Sequence, residues 1–236
     1  MSIEIQVLDD PGQACADALS AAAATGQHVV LTGGSSPGRA YGLAALQRAG
    51  DWRGAKLWFS DDRCVGPEDE RSNFKMVKES LLDPLGRAGV EVEFCRRILG
   101  ERGPDEAALA YERALAEAAG EAAAISFELI LLGIGSDGHI CSMFPGQRSL
   151  AERTRFAVGV AQAGLEPFVP RVTLTFAALA RARQVIVLAT GEEKAHPVAA
   201  AFAGGAPPTP SVPASLLAEH VDDIVVLLDA AAAARI

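Results

Sequence analysis

VVLTGGSSPGRAYGLAAL, at positions 29–46, passes from a short apolar run through a glycine pair into a segment of helical character. A short uninterrupted apolar run is typical of a strand that is covered on both faces of a parallel sheet. Ser36 can cap a helix and Pro37 suits its first turn, so we expect a helix to begin directly after the glycines. The stretch therefore predicts a strand, a tight turn and a helix in immediate succession.

The same alternation continues along the chain. Strands are predicted for the short apolar runs at 27–34, 55–60, 127–135, 171–176, 183–190 and 222–229. Helices are predicted at 12–24, 37–49, 72–85, 105–119 and 192–203, with further helical material in the alanine clusters 21–24 and 230–234. This rhythm predicts an α/β protein with a doubly wound, mostly parallel sheet.

The length of 236 residues allows one domain or two tightly packed lobes. Because the sequence shows no clean linker and no internal repeat, we expect one domain over residues 1–236. A formal net charge of -9 disfavours nucleic acid or an anionic membrane as the main partner. An anionic substrate would then need a local cluster of cations.

Several features indicate a cytoplasmic protein. The first residues show neither the basic nor the apolar region of a signal peptide, and the apolar runs are too short to span a bilayer. The four cysteines form no C-x-x-C pair, which favours reduced thiols.

The glycine turn after the first quoted strand is a candidate phosphate site. Gly33 and Gly34 let backbone N–H groups approach a ligand, and Ser35 and Ser36 open the helix whose N-terminus favours anions. The turn is neither a Walker A loop nor a G-x-G-x-x-G fingerprint. An ordinary strand-to-helix connection is the alternative.

A second candidate is AKLWFSDDRCVGPEDERSNF at 55–74, where charges follow a strand directly. Arg63 can clamp a phosphate or carboxylate with its fixed fork of donors. Asp62 and Arg71 belong to the same cluster, and we take all three as candidate site residues. The alternative is a solvated loop in which Arg63 pairs with a neighbouring aspartate.

A third candidate is FELILLGIGSDGHICSMFPG at 127–146, where a glycine-rich turn carries a histidine. His139 is a candidate general base, since the ordinary pKa of histidine is about 6.5. Asp137 can orient its ring. Two cations beside other strands, Arg171 and Lys194, suggest a shared anion pocket, although each could also be a surface charge. No His, Cys, Asp or Glu group has metal-ligand spacing, so we expect no catalytic metal.

Together these segments resemble the 6-phosphogluconolactonase family, within the larger group that includes glucosamine-6-phosphate deaminase. In family order they are LTGGSSPGRAY, WFSDDRCVGPEDERSNF, LLGIGSDGHICSMFPG, RVTLTFAAL, GEEKA and VPASLL. The family commonly has Asp-Glu-Arg where this chain has Asp61-Asp62-Arg63, and often Pro in place of Ser136.

The resemblance implies a three-layer αβα fold, a phosphorylated δ-lactone substrate and no cofactor. It also implies that His139 is the base and that the Gly34-Ser35 loop, Arg171 and Lys194 hold the phosphate. The residues support the same chemistry, because lactone hydrolysis needs an activated water, donors for the oxyanion and an anchor for the phosphate. We expect Arg63 and backbone N–H groups to face the lactone.

Two alternative functions are a sugar-phosphate deaminase and a non-catalytic sugar-phosphate sensor. Deaminases on the same scaffold carry a glutamate shortly after the histidine, in a Phe-Asn-Glu-Pro context, whereas this chain has Ser142-Met143-Phe144-Pro145-Gly146 and no acid before Glu152. That difference favours the lactonase. A non-catalytic sugar-phosphate sensor would be expected to lose the base, and His139 is present.

Overall fold

The computed structural model describes residues 2–204 and 207–236. The strands found there, in chain order, are β1 (Ser2–Val7), β2 (His28–Leu31), β3 (Lys56–Phe59), β4 (Asp61–Arg63), β5 (Phe94–Cys95), β6 (Phe127–Leu132), β7 (Ala157–Val160), β8 (Arg171–Leu174), β9 (Ala182–Ala189) and β10 (Asp223–Leu228). Seven of them form one parallel sheet in the order β1-β10-β9-β6-β2-β3-β5.

Helices flank this sheet. They are α1 (Pro11–Ala24), α2 (Ser35–Gln47), α3 (Asn73–Val77), α4 (Asp83–Arg87), α5 (Pro104–Ala119), α6 (Phe176–Leu179), α7 (Ala195–Phe202) and α8 (Leu217–His220). A π-helical turn, Lys78–Leu82, joins α3 to α4. The expected α/β fold with a mostly parallel, doubly wound sheet is confirmed. Over the described residues, no helix is both long and apolar enough to cross a membrane.

The direction of winding changes at β2. From β2 the chain proceeds to β3 and β5 on one side, whereas β6, β9 and β10 lie on the other. The loops that follow β2 and β6 therefore diverge and leave a crevice at the carboxyl ends of these strands. Ligands of open parallel sheets bind at such a point.

A second, antiparallel sheet has the order β4-β8-β7. Only Ser60 separates β4 from the end of β3, so the small sheet begins where the large one stops. The expectation that 171–176 belongs to the parallel sheet was wrong. All four residues of β8 are buried, and a strand covered on both faces has the same apolar pattern whether its neighbours are parallel or antiparallel.

Two local expectations were also wrong. The helix after the glycines begins at Ser35, with Gly34 as its N-cap, so Ser36 lies inside the first turn and does not cap it. The alanine cluster at 230–234 forms turns.

Two buried tyrosines hold the carboxyl ends of the central strands. The Tyr41 hydroxyl donates to the carbonyl of Thr32 (2.9 Å) and accepts from its N–H (3.0 Å). The Tyr111 hydroxyl does the same for Phe59, at 3.0 and 2.8 Å. Each phenol thus bonds both backbone groups of one residue near the end of a central strand, where the crevice begins.

Candidate active site

A cleft of about 440 Å³ opens at the carboxyl ends of β2, β6 and β9, with β4 and β8 on one wall. This volume suits a small-molecule ligand. Most of the residues predicted for the site line the cleft, and these are Gly33, Gly34, Ser35, Ser36, Arg63, His139, Arg171 and Lys194. Asp137 lies behind His139, whereas Asp62 and Arg71 are not among the lining residues.

His139 and Asp137 form a hydrogen-bonded pair. His139 Nδ1 lies 2.5 Å from Asp137 Oδ1, and the same oxygen accepts from the His139 backbone N–H at 3.1 Å. Burial alone would raise the pKa of Asp137, but the hydrogen bond and charge of His139 outweigh it and lower that pKa below its ordinary value. The carboxylate therefore fixes a proton on Nδ1 and leaves Nε2 free to accept one.

The turn around this pair depends on glycine. A Cβ on Gly135 would collide with the His139 ring and the Asp137 carboxylate. Gly138 has a φ of +79°, and a Cβ there would also press on Val212. The ring of His139 packs on Phe144, with centroids 4.4 Å apart. The histidine is thus held on one side by a carboxylate and on another by an aromatic ring.

The glycine loop after β2 brings the N-terminus of α2 to the cleft. Gly34 adopts a φ of +114°, which side chains rarely tolerate. A Cβ on Gly33 would collide with the Asn73 amide, so this backbone passes close beside the wall of the cleft. The Ser36 hydroxyl bonds Thr190 Oγ1 at 2.5 Å, which ties α2 to the end of β9.

Two arginines face each other across the small sheet. Arg63 on β4 pairs directly with Arg171 on β8. Both guanidinium groups have a buried Nε that finds no hydrogen-bond partner among the described residues. Burial, and then the charge of Arg63, lower the pKa of Arg171. Like charges placed directly opposite each other are unfavourable, and buried donors are costly without an acceptor, so an anion in the cleft would relieve both.

Hydrogen bonds to backbone carbonyls orient the three cations of the cleft. Arg171 is 3% exposed, and its Nη2 donates to the carbonyls of Pro167 (3.0 Å) and Leu165 (3.4 Å). Arg63 Nη1 donates to the Arg71 carbonyl at 2.6 Å. Lys194 follows β9 and donates to the Ile134 carbonyl at 2.9 Å.

The family comparison agrees with this geometry. The family model described as "Glucosamine-6-phosphate isomerases/6-phosphogluconolactonase" matches residues 6–226. The chain belongs to this family. The resemblance seen in the motifs is therefore confirmed.

Individual relatives within and near this family cover the whole chain. A curated "6-phosphogluconolactonase" from Mycobacterium leprae is 35% identical over 249 residues, covering 100% of this chain and 99% of that protein. The solved "6-phosphogluconolactonase from Trypanosoma cruzi" has a TM-score of 0.83 at 26% identity, covering 100% of this chain and 97% of its own. A solved monomeric glucosamine-6-phosphate deaminase also reaches a TM-score of 0.83, but its 17% identity shows the fold alone.

Two candidate residues of the charged loop, Asp62 and Arg71, were expected at the site, but their side chains lie outside the cleft lining. The Arg71 side chain points away from the cleft into a pair with Asp69, with Nη2 and Oδ2 2.7 Å apart. Asp62 is buried beneath the loop that follows β4, where its carboxylate binds backbone N–H groups. For Asp62, alternation along β4 is the signal that could have placed it, because Asp61 and Arg63 share the face towards the cleft and Asp62 takes the other.

Sequence reasoning also missed residues that do reach the cleft. Asp61 is 4% exposed and accepts from Ser142 Oγ (2.6 Å) and Ser60 Oγ (3.0 Å). Asn73 donates from Nδ2 to the Asp61 carbonyl at 2.9 Å. Glu166 reaches the rim from the loop before β8. Within residues 2–204 and 207–236, no three or more His, Cys, Asp or Glu side chains are grouped so that they could hold a metal ion.

Proposed function

We propose that this chain hydrolyses 6-phospho-D-glucono-1,5-lactone to 6-phosphogluconate, a step of the oxidative pentose phosphate pathway, in the cytoplasm. One observation carries the proposal. The His139–Asp137 pair shares a cleft with two arginines whose buried Nε donors lack partners among the described residues. A general base beside an anion site is what a phosphorylated lactone requires, and the curated relative named above supports this substrate.

In the proposed reaction, His139 Nε2 takes a proton from a water molecule as the water oxygen attacks the lactone carbonyl carbon. Asp137 holds the ring in the correct tautomer and stabilises the imidazolium that forms. Donors in the cleft stabilise the oxyanion of the tetrahedral intermediate. The intermediate then expels the ring oxygen, which takes the proton from His139, and the open-chain acid results.

The phosphate is anchored at the other end of the cleft. Arg171, Lys194 and the N-terminus of α2 at Ser35 supply positive charge and N–H donors there. Sequence reasoning assigned Arg63 to the lactone end. Arg63 pairs directly with Arg171 on the neighbouring strand, which instead favours binding of the phosphate by both arginines. We therefore assign Arg63 to the phosphate end of the cleft. Backbone N–H groups are then left as the donors for the oxyanion.

The segment after His139 argues against the deaminase alternative. Where deaminases have their glutamate, this chain uses Ser142 to bond Asp61 and Phe144 to pack on the His139 ring. No carboxylate from 140–146 is available to assist opening of an amino-sugar ring. A sensor without catalysis would have no need for a base oriented by a carboxylate.

The deciding experiment is a pair of assays on the purified protein. Hydrolysis of 6-phosphogluconolactone is followed at constant pH and corrected for spontaneous opening, beside release of ammonia from glucosamine 6-phosphate. We expect catalysed hydrolysis and no deamination. Ammonia release without lactone hydrolysis would establish the deaminase, and binding of 6-phosphogluconate without either reaction would establish the sensor.

A further inference from the structure

Asp62 is a carboxylate buried outside the cleft and saturated with donors. It is 2% exposed. Oδ1 accepts from the backbone N–H groups of Arg63 and Asn73, both at 2.7 Å. Oδ2 accepts from the backbone N–H of Phe74 at 3.0 Å and from Ser72 Oγ at 3.2 Å. All four donors belong to the two ends of one loop, which leaves β4 at Arg63 and enters α3 at Asn73.

This closure acts on two residues of the cleft. With the two ends of the loop drawn together, the Arg71 carbonyl lies where Arg63 Nη1 can donate to it at 2.6 Å. Asn73 is held so that its amide reaches the Asp61 carbonyl at 2.9 Å and lies against Gly33. Asp62 thus sets the direction of one cleft cation and the position of one cleft wall without lining the cleft itself.

The electrostatic surroundings make this carboxylate costly. Among the described residues, no cationic nitrogen lies within ion-pair distance of the Asp62 carboxylate. The titratable or charged groups around this carboxylate are Asp61, Arg63, Cys64, Arg97, Tyr111 and Arg171. Burial raises the pKa of Asp62 to about 6, against the lowering effect of its backbone hydrogen bonds. Its contribution to stability is therefore largest below the ordinary pKa of 3.8 and is lost as the pH rises to about 6.

The four hydrogen bonds of Asp62 join the end of β4 to the start of α3 in spite of the cost of burying a carboxylate. We propose that Asp62 is a positioning residue, whose buried carboxylate closes the loop 64–72 onto β4 and thereby aims Arg63 at the phosphate of the substrate. This inference rests on the proposed function, because it needs a phosphate at that end of the cleft. Asp62 itself does not touch the substrate.

The test compares binding of 6-phosphogluconate and of unphosphorylated gluconate by calorimetry. Asp62→Asn supplies an N–H₂ group where Oδ1 or Oδ2 now accepts, so at least one backbone donor loses its acceptor. We expect it to weaken 6-phosphogluconate binding about tenfold, a fraction of the effect of losing a charge-assisted bond, and to leave gluconate binding unchanged. Asp62→Glu keeps the carboxylate and should restore most of the affinity. Glu68→Gln removes the same charge from an exposed position of the same loop and should have no effect.

A double-mutant cycle shows whether Asp62 acts through Arg63. In an Arg63→Ala background, Asp62→Asn should cause a clearly smaller loss of 6-phosphogluconate affinity, because only its effect through Asn73 remains. An undiminished loss there, or normal affinity in Asp62→Asn alone, would overturn the inference. If Asp62→Asn does not fold, Ser72→Ala replaces it in the cycle; it removes one donor to the same carboxylate and also the N-cap of α3, so the criterion is its coupling to Arg63→Ala and not the size of its own loss. Turnover of the lactone by the wild type is measured separately, so that failure of the proposed function is recognised independently of these binding results.

Discussion

At the scale of single residues, the chemistry of the cleft depends on one short contact. Asp137 Oδ1 lies 2.5 Å from His139 Nδ1, and Gly135 leaves room for both groups. Because the pKa of Asp137 is lowered, the carboxylate stays ionised at the pH where the base must work. A proton fixed on Nδ1 gives the ring a single tautomer, with Nε2 as the base.

Removal of this base gives the first prediction. His139→Ala should lower kcat for 6-phosphogluconolactone by a factor of roughly 10² to 10⁴, the usual contribution of positioned acid–base catalysis, with little change in KM. His196→Ala, at an exposed histidine outside the cleft lining, is the matched control and should keep wild-type rates. Wild-type kcat in His139→Ala would remove His139 from the mechanism.

The sequence predicted most of these residues because each lies beside an apolar run that is easy to recognise. Asp137, His139 and Lys194 follow strands of the parallel sheet, whose carboxyl ends converge, whereas Arg171 begins β8 of the antiparallel sheet. Asp62 was misplaced because three-residue β4 was not recognised as a strand, so that the alternation of its side chains could not be used. Pairing between distant segments, such as Arg63 with Arg171, has no signal within either segment.

At the scale of elements, the carboxyl ends of the central strands must be rigid for the loops beyond them to be placed. Tyr111 supplies part of that rigidity by bonding both backbone groups of Phe59, and it is 3% exposed. Helix α5 thereby holds the end of β3, from which β4 and the small sheet continue.

The second prediction follows from that contact. Tyr111→Phe leaves a buried N–H and a buried carbonyl without this partner, and should lower the free energy of unfolding by about 1–3 kcal/mol. Urea denaturation with an unchanged m-value is the measurement. Leu109→Ala, at an exposed position of the same helix, should change stability little. A loss in Tyr111→Phe no larger than in that control would show that water or backbone groups replace the phenol.

Elements with continuous apolar runs were the ones that the sequence predicted. β2, β3, β6 and β10 lie within the predicted runs, and β9 begins one residue before its run. β1 was missed because it is an edge strand, in which Glu4 and Gln6 interrupt the apolar pattern and most residues are exposed. β5 has two residues and β7 contains Gly159, so neither presents a run of its own.

At the scale of the whole molecule, the side chains that line the cleft come from both sheets. Among the described residues, none of them belongs to a cluster of metal ligands. The third prediction is therefore that exhaustive dialysis against EDTA leaves hydrolysis of 6-phosphogluconolactone unchanged. The base is His139 and the anchors are cationic side chains, so no step of the proposed reaction needs a metal. Activity lost on dialysis and restored by a divalent ion would refute this.

The net charge of the molecule has the same sign as the charge of its proposed substrate. With a formal net charge of -9, the protein repels a phosphate at long range, and binding depends on the cations of the cleft. These come from separate parts of the fold, since Arg171 lies on β8 of the small sheet and Lys194 follows β9 of the large one. Both are proposed to hold a phosphate that does not react, so their interactions should be alike in the ground and transition states.

Uniform binding of this kind appears mainly in KM, whereas an interaction gained only in the transition state appears in kcat. Arg171→Ala and Lys194→Ala should each raise KM for 6-phosphogluconolactone by roughly ten- to more than a hundredfold, because a hydrogen bond to a charged group contributes about 1.5–3 kcal/mol. Both should matter far less for unphosphorylated gluconolactone. Arg183→Ala, at an exposed cation near the opposite end of β9, should leave both substrates unaffected. Equal losses on the two lactones would mean that the phosphate lies elsewhere and that the substrate is oriented differently in the cleft.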